Sequence, residues 1–365
     1  MGPRGSGKST WLRATFPDAH VIDLLAEDTY QRLLASPGFF ADELRALTSV
    51  RWVIVDEVQR LPGLLNEVHR FIEEKRLRFV LCGSSARKLK RADVNLLAGR
   101  ALCRSMHPFV PEELGAHFDL DETLRFGLLP IVWDSTEKCE TLAAYAQLYL
   151  KEEIQAEALV RNLAGFARFL PLAALFHGQT VNVTNIAREA GVARTTVAGY
   201  LDILKETLLC FQLPAYEAKL RVRERKLPKW YWCDPGIVRA MKRATGGVAP
   251  EERGALFEGM VAQLLRAYKD YRGLCDDMYY WAPSGRSETE VDFLLVQGAE
   301  LVAVEVKSGN TFAEGWCKGL RAIAQLEGLR RRIIVYPRGP VLRTKDGIEV
   351  IPFQHFADQL AGNSL

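Results

Sequence analysis

The sequence predicts an α/β protein in three parts: a parallel sheet flanked by helices over residues 1–118, a helical and winged helix-turn-helix middle over 119–245, and a second α/β domain over 246–365. Three observations carry this division. As far as about Phe118, short apolar strand runs alternate with amphipathic helical runs, the mark of a parallel sheet built from crossovers. Residues 183–201 read as two short helices about Gly191. Beyond the linker Gly246-Gly247-Val248-Ala249-Pro250 the order is helix, three strands, helix, strand.

In the first part a Gly-rich turn at residues 2–7 opens into a helix, and Val21-Ile22-Asp23-Leu24 is a short strand. Tyr30 to Leu47 reads as helical, and Trp52-Val53-Ile54-Val55-Asp56 as a buried strand. Leu64 to Lys75 carries Leu65, Val68, Phe71 and Ile72 at helical spacing, and Arg78 to Gly83 is the next strand, with Ser84 and Ser85 at its tip. Pro108 and Pro111 bracket the exit. Residues 120–180 are mostly helical, broken at Gly127-Leu128-Leu129-Pro130. Thr184 suits an N-cap, Gly191 a turn, and Ala193 to Lys205 a second helix with Val197, Leu201 and Leu204 inward. Leu208 to Leu213 is a wing or packing strand, and a basic run follows: Lys219, Arg221, Arg223, Arg225, Lys226 and Lys229. The last part holds a helix from Gly254 to Tyr271, strands at Met278–Trp281, Glu290–Val296 and Leu301–Lys307, a helix from Gly315 to Leu326 and a strand from Arg332 to Tyr336.

A chain of 365 residues with 48% hydrophobic content buries ordinary cores in two or three domains. Lys+Arg 48 against Asp+Glu 45 excludes a globally cationic nucleic-acid coat, so any such footprint is local. The seven cysteines are odd in number, scattered and without a C-x-x-C pair, which suits a reducing cytoplasm rather than disulfides or zinc. No stretch approaches the ~18 apolar residues of a membrane span.

Gly2-Pro3-Arg4-Gly5-Ser6-Gly7-Lys8-Ser9 fits G-x-x-x-x-G-K-[ST] in full. In such a P-loop, Gly2, Gly5 and Gly7 let backbone N–H groups wrap phosphates at a helix N-terminus, and Lys8 reaches the β and γ oxygens. The Ser9 hydroxyl ligates Mg2+, with Thr10 beside it in the binding set. At the end of the acidic strand, Asp56 would hold Mg2+ through water, and Glu57 would orient or deprotonate the attacking water. Ser84 or Ser85 is placed to sense the γ-phosphate. Arg60 and Arg100 are the candidate cations for the transition state, from this chain or from a neighbouring subunit of an oligomer. Because the loop opens at residue 2, the sheet would lack a central strand; the favoured expectation is that the start is assigned too late, the alternative being a truncated product whose loop is poorly held and binds nucleotide weakly.

The second constellation is Asp292, twelve residues, then Glu305-Val306-Lys307. Period-two alternation sets Glu305 and Lys307 on one face, and pairing across the turn Gln297-Gly298-Ala299-Glu300 brings Asp292 to them. Two carboxylates, Asp292 and Glu305, can hold a hard divalent ion while the ammonium positions water or a phosphate, with Glu258 completing the pocket. The apolar Phe293, Leu295, Val302, Val304 and Val306 bury the hairpin, so acids on it need a reason. Separately, Arg194, Thr195 and Thr196 at the start of the second helix could face a groove of double-stranded DNA, the basic run supplying phosphate contacts.

Glu258, Asp292, Glu305 and Lys307 resemble the PD-(D/E)xK nuclease constellation, and the elements around them resemble a restriction-endonuclease-like core. Taken with GPRGSGKST, VIVDEVQRLP, LCGSSARKL, LLAGRA, IAREAGVARTTVAGYLDIL, EVDFLL and VAVEVKSG, nearly the whole chain resembles the prokaryotic family in which an AAA-type P-loop ATPase is fused to such a C-terminal domain of unknown function. The resemblance implies ATP binding through Gly7, Lys8 and Ser9, metal and water handling by Asp56 and Glu57, and a nuclease-like C-terminal fold. Two functions from different classes follow. One is an ATP-hydrolysing, DNA-associated protein whose nucleotide state controls a nuclease-like domain; the other is a regulatory ATP switch or protein-interaction module with an inert C-terminal domain.

Overall fold

Strand Trp52–Asp56 shows how the first sheet is built. Val53 and Val55 point to one side, into a core with Phe40, Leu44, Leu65, Val68 and Phe71. Ile54 points to the other, against Leu12 and Cys82. Alternation with both sides apolar is what a sheet covered by helices on both faces requires. The computed structural model describes residues 1–48, 51–83, 101–148, 162–217, 224–284 and 289–365. These separate into two units, residues 1–107 with 204–208, and residues 108–203 with 209–365.

Among the described residues of the first unit, strands β1 (His20–Asp23), β2 (Trp52–Asp56) and β3 (Arg78–Leu81) form a sheet in the order β1-β2-β3, parallel throughout. Helix Lys8–Thr15 lies on the face of Ile54, while helix Leu64–Lys75 lies on the face of Val53 and Val55. The expected single helix from Tyr30 to Leu47 is two, Glu27–Ala35 and Gly38–Ala46. Pro37 is the reason: its ring disfavours the helical region for the residue before it, and Ser36 sits at φ -143°.

In the second unit, Gly127 at φ 82° ends helix Leu120–Phe126, and Pro130 starts the next helix at a position that needs no N–H donor. Helices Val183–Ala190 and Arg194–Glu206 flank Gly191 at φ 64°, with Asn182 rather than Thr184 as the N-cap, accepting from the Asn185 N–H. Strands β4 (Gln179–Thr180), β5 (Cys210–Leu213) and β6 (Lys229–Trp232) form an antiparallel sheet in the order β4-β6-β5. All four residues of β6 are buried.

A six-stranded mixed sheet follows among the described residues, in the order β11-β12-β10-β9-β8-β7. Its members are β7 (Asp277–Trp281), β8 (Val291–Gln297), β9 (Glu300–Val306), β10 (Leu329–Tyr336), β11 (Leu342–Arg343) and β12 (Glu349–Pro352). β8 and β9 are the expected hairpin, closing at Gln297↔Glu300 over Gly298 at φ 59°. Helix Pro250–Arg272 buries Leu256, Phe257, Met260, Val261, Leu264 and Leu265. The expected helix Gly315–Leu326 is a 3-10 turn, Glu314–Cys317, running into the short helix Lys318–Ala322. Among the described residues no helix is long and apolar enough to cross a membrane.

Candidate functional site

Each unit carries one constellation. In the first, Gly5 and Gly7 stand at φ 76° and 80°, left-handed conformations that side chains rarely adopt, and helix Lys8–Thr15 starts directly after them. The turn therefore directs the N–H groups of the first helical turn at one point, where the helix dipole also favours anions. Gly2 is buried, and a Cβ there would strike the Met106 carbonyl. Lys8 is buried and donates to the carbonyls of Gly2 (2.9 Å) and Pro3 (2.8 Å). Ser9 is half-buried and Thr10 exposed. These residues fit a phosphate chain: the backbone is shaped to wrap it and the ammonium sits at the mouth of the turn.

Asp56 ends β2, buried, and its Oδ1 accepts from the Glu57 N–H at 3.0 Å. Glu57 itself has φ 55°, and its carboxylate accepts from the Gln59 side chain. Leu12 of helix Lys8–Thr15, Ile54 of β2 and Cys82 after β3 pack in one cluster, which brings the phosphate turn and the end of β2 to one side of the sheet. Burial pushes the Cys82 thiol up to about 12, the neighbouring Asp56 carboxylate pushes it the same way and hydrogen-bonds it, and Lys8 opposes them. Arg60 is engaged elsewhere, over the Tyr30 ring at 4.0 Å, on the Leu24 carbonyl and 3.6 Å from Glu27. Ser84, Ser85 and Arg100 lie outside the described residues.

The second constellation gathers all four residues expected from the sequence. Continuing the β8–β9 register one step past Phe293↔Val304 sets Asp292 opposite Glu305, and the Asp292 Oδ2 accepts from the Val306 N–H at 2.8 Å. Lys307 Nζ donates to Glu305 Oε1 at 2.5 Å. Glu258 reaches in from helix Pro250–Arg272 and accepts from the Tyr231 hydroxyl at 2.5 Å. Burial, then the charge of Asp292, lifts Glu258 up to about 7, against the opposing pull of Lys229. Glu305 is raised well above the usual carboxylate range for the same first two reasons, and its Oε2 is buried without a hydrogen-bond partner.

Sequence reasoning missed three members. Glu290 joins Glu258 and Asp292 so that one oxygen from each lies within 4.8 Å of the others. Lys229, counted among the basic phosphate contacts, is instead buried in their midst. Its Nζ lies 2.9 Å from Glu258, 3.5 Å from Asp292 and in close contact with Glu290. Burial alone would lower its pKa, yet the carboxylates around it, Glu258 first and then Asp292 and Glu290, hold it well above the usual lysine value. Tyr231 is the third. The available signal was the run Lys229-Trp230-Tyr231-Trp232, whose aromatic residues mark a buried strand and so a buried lysine at its head. With that ammonium in place, the three acids do not fit a divalent ion, which would stand beside a fixed positive charge. Of the expected DNA contacts, Arg194 and Thr195 are exposed and Thr196 half-buried; Lys219, Arg221 and Arg223 lie outside the described residues. Lys226 pairs with Glu217, and Arg225 lies 3.7 Å from Glu290.

Residues 1–115 match the family model of an AAA domain. Residues 117–247 and 253–356 match two domains of unknown function, DUF8612 and DUF4143. The chain is 26% identical over 368 aligned residues to uncharacterized protein Rv2008c of Mycobacterium tuberculosis and to uncharacterized protein Mb2031c of Mycobacterium bovis, covering 98% of this chain and 79% of each relative. Among solved structures, protein VC1899 from Vibrio cholerae is 12% identical with a TM-score of 0.24, over 87% of this chain and 90% of that one. Can2 from Sulfobacillus thermosulfidooxidans, in complex with cyclic tetra-adenylate, is 12% identical with a TM-score of 0.22, over 87% and 92%. The sequence match and the parallel sheet together describe an AAA-type ATPase domain followed by a C-terminal domain of unknown function. AAA ATPases use ATP with Mg2+.

Proposed function

We propose that this protein binds and hydrolyses ATP at residues 1–107, and that the nucleotide state regulates a nuclease-like, DNA-associated C-terminal domain. The observation that carries the first half is the left-handed Gly5 and Gly7 turn feeding a helix at Lys8, which packs through Leu12 against Ile54 of the strand that ends at Asp56. Loop N–H groups and Lys8 would bind the phosphates, Lys8 exchanging its Gly2 and Pro3 carbonyls for phosphate oxygens. Ser9 and Asp56 would hold Mg2+, which neutralises charge on the phosphates when bound. Glu57, steadied by Gln59, would take the proton of the attacking water. ATP turnover with a coupled phosphate assay tests this: Glu57→Gln should lower kcat by about 10²–10⁴-fold while ATP binding persists. Equal rates in wild type and Glu57→Gln would remove the hydrolytic reading.

For the C-terminal cluster, Lys229 favours the second reading, a regulatory module that does not cleave while this residue is seated. The reading expects no Mg2+-dependent plasmid cleavage by the wild-type chain. Cleavage by wild type that is lost in Asp292→Ala would replace it with the nuclease reading. DNA association rests on the exposed Arg194 and Thr195 at a helix start, and a steep loss of duplex binding with salt is its expected sign.

A further inference from the structure

We infer that Lys229 is a built-in counter-ion that stands in for a divalent cation, keeping the Glu258, Glu290 and Asp292 cluster metal-free. The inference rests on reading that cluster as a metal-type acid set, and it adds what governs the set. One nitrogen touches an oxygen of each of the three acids, so the ammonium sits where a shared ion would be coordinated. The fit is that of an ammonium. Its spacings to Glu258 and Asp292 are 2.9 and 3.5 Å, and it is in closer contact with Glu290. The lysine is also well anchored. Its side chain is 5% exposed, its backbone pairs with Thr180 and Leu213, and the three residues after it on β6 are fully buried aromatics. The Tyr280 ring lies 5.5 Å from the same nitrogen, a further favourable contact for a cation.

A second observation, beside the three acids themselves, is a neighbouring buried acid with one oxygen left unsatisfied. Glu305 is 5% exposed and its Oε2 has no hydrogen-bond partner, an expensive arrangement for a buried acid. Lys307 serves only the other oxygen. Among the described residues, the lysines of this corner reach Glu258, Glu290, Asp292 and the Oε1 of Glu305, and leave that Oε2 unserved.

The test is a Mn2+ titration of the full chain without nucleotide, followed by the electron paramagnetic resonance signal of free Mn2+. Mn2+ takes the same oxygen ligands as Mg2+. Wild type should show no Asp292-dependent site up to about 1 mM, the weak end of protein oxygen sites. Lys229→Met should gain one site at least tenfold tighter, Lys229→Arg should gain none, and Lys229→Met with Asp292→Ala should lose the gain. An Asp292-dependent site in wild type overturns the counter-ion role and leaves the metal-type reading standing. A folded Lys229→Met that binds no Mn2+ overturns both. Melting curves cover the case of a variant that folds poorly: Mn2+ should raise the Tm of Lys229→Met and leave that of wild type in place. A Lys229→Met melt indifferent to Mn2+ counts against the inference.

Discussion

Asp234 shows how much one buried carboxyl can govern. It caps helix Pro235–Met241 through the Ile237 N–H and accepts from the Leu128 N–H, tying the Gly127–Pro130 break to that helix. Burial lifts it from 3.8 to about 6, only partly opposed by the backbone N–H groups of Leu128, Ile237, Gly236 and Leu129. Between those two values the folded chain retains a proton that the unfolded chain has released. Stability from this residue is therefore greatest below about pH 4 and falls as pH rises to about 6, by about 3 kcal/mol. Asp234→Asn keeps a capping side chain and removes the titration. The difference in urea-unfolding free energy, variant minus wild type, should thus grow by roughly that amount between about pH 4 and about pH 7. A difference that stays flat with pH would mean an unshifted carboxyl. At this same scale the motif residues were legible because their chemistry fixes their spacing: Gly5, Gly7, Lys8, Asp56 and Glu57 at one site, Asp292, Glu305 and Lys307 at the other. Lys229 was not legible as a member of the acid cluster. Its partners lie 29 and more residues away, and its basic neighbours suggested solvent and phosphate instead.

Elements were read well where a period was long and unbroken. The β8–β9 hairpin is an example, since alternation and a short connection, closing over Gly298 and Ala299, leave one register that buries the apolar set. Errors came where one residue outweighed the pattern. Pro37 divides an apolar stretch that otherwise reads as one helix, and β11 and β12 carry too few residues to show a period at all. Strand β2 gives the sharpest test of the two-faced sheet. Ile54 and Val55 are adjacent, almost wholly buried and directed into different clusters. Ile54→Ala should cost about 2–5 kcal/mol, and Val55→Ala should also be clearly destabilising, since each empties a packed core. Urea denaturation of the two variants checks this. In a sheet with one face in water, one of the pair would be nearly neutral.

At the scale of the molecule, the nucleotide constellation and the acid cluster belong to different compact units. Regulation of one by the other is therefore a coupling free energy, and it must act in both directions. A ligand moves an equilibrium only by its difference in affinity for the two states, so tight ATP binding alone guarantees no effect at the cluster. Hydrogen exchange resolves the two cases by segment. MgATP should slow exchange at residues 1–15 and 52–57, where the phosphates would be held, whichever reading applies. If the nucleotide state governs the cluster, exchange should also change at Lys229–Trp232 and at Val291–Val306, the strands that carry Lys229, Asp292 and Glu305. Lys8→Ala should abolish both effects, because both depend on bound nucleotide. We expect the distant change. Protection confined to residues 1–107 would leave an ATPase and an acid cluster that share a chain without sharing a switch.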